Sequence, residues 1–97
     1  MADAWETLSP ERRTVYRLAD DLLLVFKPRG HREEEHAHPH GQRLRVLRGT
    51  LVVRSDGAEV TLDAQSAPFV LDPGRRHATE ALEDTWLVAE RLAERAS

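Results

Sequence analysis

The sequence predicts an all-β protein, a sandwich or small barrel, and three observations carry that prediction. Apolar residues recur in short runs of strand length. Turn residues interrupt those runs about every 8–12 positions. No segment holds a helical period long enough to build a parallel α/β sheet. The first strand is expected at Val15-Tyr16-Arg17-Leu18 and the second at residues 22–27, where Pro28-Arg29-Gly30 ends it. Leu44 and Val46 alternate with arginines before Gly49, and Leu51 and Val53 continue the apolar alternation after it. Asp56-Gly57 then separates Leu51-Val52-Val53-Arg54 from Glu59-Val60-Thr61-Leu62, a hairpin signal, because a type I′ turn requires positive φ at both central residues. Phe69-Val70-Leu71 follows Ala67-Pro68, Asp72-Pro73-Gly74 forms another turn, and residues 77–80 and 85–90 supply the last strands. Residues 1–13 read as an N-terminal arm carrying Trp5 and Leu8, with a short helical turn possible at Ser9-Pro10-Glu11. The barrel domain is placed at 14–91 and a polar tail at 92–97.

Composition narrows the function classes. The chain has 97 residues, enough for one domain. Fourteen Lys plus Arg stand against 17 Asp plus Glu, a net charge of −3, which argues against nucleic-acid binding through a general basic field. The longest apolar run, residues 22–26, falls far short of the roughly 18–20 needed to span a bilayer, so no membrane partner is expected. The acidic start Met1-Ala2-Asp3-Ala4-Trp5-Glu6 has no apolar core of a secretory signal, and a cytoplasmic location is expected. Without cysteine there is neither a disulfide framework nor a thiolate zinc site. Of the basic residues only Lys27 is lysine; in so arginine-biased a chain, single arginines carry little functional weight.

Four of the five histidines, His31, His36, His38 and His40, fall in one decapeptide, and His77 stands apart. Two residues apart on a strand, His36 and His38 share a face. A third imidazole at His77, leading into a strand after the Pro73-Gly74 turn, would complete a metal shell and leave a position open for water or substrate. The competing reading is an exposed polar loop around Pro39 and Gly41.

The surrounding residues favour the metal site. Gly30, His36-Ala37-His38, Gln42 and Gly49, separated by five, three and six residues, resemble the first motif of the cupin superfamily, with Gln42 where members usually carry Glu. Asp72-Pro73-Gly74-Arg75-Arg76-His77 resembles the second, its proline shifted one position toward the glycine and Ala81 standing at the usual Asn position. The resemblance spans roughly residues 22–91 and implies a double-stranded β-helix, an RmlC-like jelly-roll barrel with a metal in its mouth. It implies His36, His38, Gln42 and His77 as metal ligands and a divalent transition metal (Zn, Fe, Ni, Mn or Cu) as cofactor. It also implies a homodimer, which small size favours.

With a neutral amide at Gln42 the site would hold its cation without an anionic protein ligand, weakening metal affinity while favouring an anionic ligand. His40 is expected beside the site or in solvent, with ligation of the metal as the less favoured alternative. Glu33-Glu34-Glu35 reads as a solvated edge, Arg75 and Arg76 as exposed turn residues, and Arg48 as lying at a barrel end or against a carboxylate. Tyr16, Phe26, Phe69 and Trp86 are expected in the core or the pocket wall. The resulting expectation is a small metal-binding cupin, an enzyme acting on a small oxygen-rich anionic metabolite by isomerase, lyase or dioxygenase chemistry. The alternatives are a non-catalytic module binding a small molecule or metal, and a barrel whose histidines hold no metal. No general base is evident from the sequence.

Overall fold

The computed structural model describes residues 14–92; the expected arm with Trp5 and Leu8, and residues 93–97 of the tail, lie outside them. Nine strands follow in order: β1 Thr14–Ala19, β2 Leu22–Lys27, β3 Arg32–His36, β4 Gln42–Arg48, β5 Leu51–Ser55, β6 Ala58–Leu62, β7 Phe69–Leu71, β8 His77–Ala81 and β9 Thr85–Arg91. They form two antiparallel sheets, β1-β2-β9-β4-β7 and β3-β8-β5-β6. The long steps in sequence between sheet neighbours, β3 to β8 and β2 to β9, are those of a jelly roll, which closes a sandwich on itself.

Alternation places the core. Val15, Val25, Leu44, Val46, Leu87 and Ala89 face inward from the five-stranded sheet and meet Leu51, Val53, Leu62 and Ala81 from the other. Leu51 is 0% exposed and underlies both the core and the cavity described below. Leu51→Ala is therefore expected to destabilise by about 2–5 kcal/mol, transfer plus cavity cost, read as a lower urea midpoint at unchanged m-value.

The Asp56-Gly57 hairpin forms as expected, with φ of 53° and 77° at its two central residues. Two further expectations concern Arg48 and the aromatic residues, and the second is corrected. Arg48 ends β4 with its side chain in solvent, in keeping with the expected barrel-end position, and the register slip between Val46 and Arg48 takes it off the inward face of Leu44 and Val46. Tyr16, Phe26 and Trp86 do not line the interior. They sit on the outer face of the five-stranded sheet, where Trp86 lies 6.3 Å from Tyr16 and 4.8 Å from Phe26 between ring centroids, and Tyr16 is 48% exposed. Only Phe69 packs partly against the core. The interior of a barrel this narrow is filled by aliphatic side chains, and the larger rings are accommodated outside.

Candidate metal centre

Between the sheets lies a cavity of about 180 Å³. His36, at the end of β3, and His77, at the start of β8, are direct partners across the strands. His38 does not share a strand with His36 as the spacing suggests. It lies in the loop after β3, which folds back so that its ring reaches the same point. The ring centroids are 4.9 Å apart for His36 and His38, 4.4 Å for His36 and His77, and 5.4 Å for His38 and His77. One ligand nitrogen from each lies within 4.8 Å of the others. Metal–nitrogen bonds of about 2.0–2.1 Å call for nitrogens somewhat closer than that, an adjustment within reach of small ring rotations.

The donor chemistry fits a transition metal. His36 Nδ1 is 2.7 Å from the Glu34 carbonyl and His77 Nδ1 is 3.1 Å from the Arg75 carbonyl. A carbonyl only accepts, so each Nδ1 carries the proton and each Nε2 keeps its lone pair for a ligand. His77, only 4% exposed, is held neutral: burial, the largest cause, and the neighbouring His36 push its pKa below 6.5, against an opposing hydrogen bond to Arg75. For His38 burial again dominates, followed by the charges of His36, His77 and His40.

These shifts have a definite sign. An imidazole whose folded pKa lies below its unfolded value binds protons more readily in the unfolded chain. Its contribution to stability is therefore complete above about pH 6.5 and is lost as pH falls through that value toward the folded pKa. The metal-free protein is expected to show a falling urea midpoint over that range. The fall should shrink in a His38→Gln, His77→Gln double variant; an unchanged pH profile would refute the assignment.

Gln42, the first residue of β4, lines the same cavity, so all four residues implied as ligands border one space. His40 does not join them. Its ring stacks 5.4 Å from His38, but it borders a neighbouring cleft with Asp20, Asp21 and Arg91. His31 is buried at the far end of β8, where its carbonyl accepts from the Ala81 amide. Arg75 and Arg76 are tied down at the turn: Arg75 donates to Ser55 Oγ at 2.8 Å and pairs with Asp56, and Arg76 pairs with Glu35.

Glu33 departs from the expected solvated run. The register of β3 against β8 slips by one between Glu33 and His36, so two residues three apart both face inward. Glu33 Oε1 accepts from Lys27 Nζ at 2.9 Å and from Thr79 Oγ1 at 3.3 Å, and Lys27 Nζ donates to Thr79 Oγ1 at 3.0 Å. Glu34 and Glu35 are exposed, as expected.

The sequence matches no protein-family model and no curated protein. Solved structures do resemble it. The cupin-2 domain of an XRE-family transcriptional regulator from Enterobacter cloacae superposes with a TM-score of 0.72 at 17% identity, covering 86% of this chain and 98% of that one. The chain has the cupin fold. The chain also resembles KdgF from Halomonas sp., with a TM-score of 0.70 and 27% identity over 88% of this chain and 81% of that one. A variant of salicylate 1,2-dioxygenase from Pseudoaminobacter salicylatoxidans gives a TM-score of 0.72 at 16% identity, covering 88% of this chain but 27% of the dioxygenase. Among the described residues no helix is long and apolar enough to cross a membrane.

Proposed function

We propose that this cupin binds a divalent transition metal through His36, His38 and His77, with Gln42 as a weak fourth ligand or a hydrogen-bond partner of what the metal holds, and acts as an enzyme on a small oxygen-rich anion. The observation that carries the reading is the convergence of three imidazoles on one cavity, two of them with their Nδ1 protons committed to backbone carbonyls. When bound, the metal would supply Lewis acidity or activate water or dioxygen. The protein's own contribution is a cavity with aliphatic walls from Val25, Leu44 and Leu87 and a set of neutral donors that leaves the cation's charge to attract an anion. At about 180 Å³ the space holds the equivalent of roughly six waters, which restricts the ligand to small metabolites.

The resemblance to KdgF and to a dioxygenase supports an enzymatic reading, and the resemblance to a regulator's cupin domain supports the second reading, a non-catalytic binding module. Elemental analysis of protein purified without an affinity tag tests the first step, with about one metal per chain expected. Turnover and oxygen consumption over a panel of small hydroxy and keto acids then divide the two readings. Saturable ligand-induced stabilisation without turnover would favour the module. A homodimer is proposed on small size and is tested by sedimentation equilibrium.

A further inference from the structure

We propose that Lys27, Glu33 and Thr79 form a second subsite in the cavity, one that receives an uncharged hydroxyl group of the ligand while its carboxylate lies at the histidines. This inference rests on the reading of the histidine cluster as a metal site and names the substrate class: small polyhydroxylated acids. Three observations carry it.

The first is the placement of the ion pair. Lys27 comes from β2 in one sheet and Glu33 and Thr79 from β3 and β8 in the other, so the three side chains bridge the interior of the sandwich. Lys27 is only 5% exposed, and all three residues line the cavity with the histidines. Burying two opposite charges is not a stabilising choice in itself, since apolar replacements of similar volume are often neutral or better. Leu23 and Val25, the residues on the same face of β2 as Lys27, show what an apolar wall here looks like.

The second is charge. Glu33 neutralises Lys27 at 2.9 Å, so the pair presents no net charge to an incoming anion. A metal held by three neutral imidazoles keeps its full positive charge. An anionic group is therefore drawn more strongly to the histidine end than to the Lys27–Glu33 pair. A hydroxyl both donates and accepts, and it matches an ammonium and a carboxylate side by side, which together offer donors and acceptors to one atom.

The third is spacing. Thr79 follows His77 by two residues on β8, a displacement of about 6.7 Å along the strand. A chain of about four to six carbons at ordinary bond lengths covers that span, and it fits the cavity volume.

The test uses metal-replete full-length protein and calorimetric titration of defined probes. Threonate and erythronate carry an α-hydroxycarboxylate and further hydroxyls. 2-Hydroxybutanoate keeps the α-hydroxycarboxylate on the same carbon skeleton and lacks the rest. Malate places a second carboxylate near the ion pair instead. The wild type is expected to bind at least one of the trihydroxy acids ten or more times more tightly than 2-hydroxybutanoate, and malate ten or more times more weakly than that acid. In the Lys27→Met, Glu33→Leu double variant the advantage over 2-hydroxybutanoate should fall close to one, with metal content unchanged. Thr79→Val, which removes a single hydroxyl, should reduce it partway and provides a milder variant should the double one fold poorly. A wild-type ratio near one, preference for malate, or a ratio preserved in the variants overturns the subsite. Metal content measured on the same samples keeps the two readings apart: absent metal in the wild type refutes the metal centre, whereas full metal with no discrimination refutes only the subsite.

Discussion

Replacing His77 by alanine is expected to lower metal affinity by more than about 100-fold, leaving protein that emerges from dialysis against a weak chelator without stoichiometric metal. Loss of an outer hydrogen-bond partner alone typically costs 10–100-fold, and removal of a ligand costs more. His77 is the most buried of the three histidines and faces His36 directly across β3 and β8. His36→Ala should behave in the same way. His40→Ala should retain metal, because that ring stacks on His38 from an adjacent cleft instead of entering the cluster. Equal metal content in wild type, His36→Ala and His77→Ala would dispose of the ligand set.

Gly49→Ala is expected to be the most damaging single-atom addition to the framework. Gly49 has φ of +97°, a conformation that L side chains rarely adopt, and it turns the chain from β4 into β5. A Cβ there would collide with the Asp84 carbonyl and come within 2.7 Å of Thr85 Cα, both backbone atoms that cannot rotate aside. The turn is clasped from the other side as well: fully buried Thr85 accepts from the Thr50 amide at 3.1 Å and lies 2.8 Å from the Glu83 carbonyl, to which it donates. Backbone strain and overpacking together come to about 2–6 kcal/mol, against roughly 5–15 kcal/mol for the whole stability of a typical domain. Thermal or urea unfolding should place the variant far below wild type. Gly30→Ala makes an instructive comparison. Its φ is similarly positive at +88°, but nothing lies within 4 Å of the added atom, so only the conformational part of the cost applies.

The same glycine shows what the sequence made legible. Gly49 belongs to the spacing that resembles the first cupin motif, and the structure gives the physical reason for a glycine there. The strands and the Asp56-Gly57 hairpin follow from alternation and turn chemistry, which are local, and the convergence of His36 and His77 was legible through the two motifs that resemble those of cupins. What escaped was non-local. Glu33 faces inward only because β3 slips register against β8, and Arg48 faces outward only because β4 slips against β9; simple alternation inverts both. One signal was present and went unread. Lys27 shares the inward parity of Leu23 and Val25, and a lone lysine ending an apolar strand in an arginine-rich chain needs a buried partner. The aromatic residues misled for a different reason, since their size alone suggests interior positions and the available volume decides otherwise.

The position of β3 has one more effect. Among the described residues it is the outermost strand of its sheet, a position where unpaired main-chain groups can invite another molecule to add a strand of its own and begin a fibre. The slip that swings Glu33 inward leaves Arg32, Glu34 and Glu35 exposed on that margin, with Glu35 ion-paired to Arg76. Charges placed there make intermolecular pairing unfavourable. The acidic run thus disfavours strand addition on its outer side while contributing one carboxylate within.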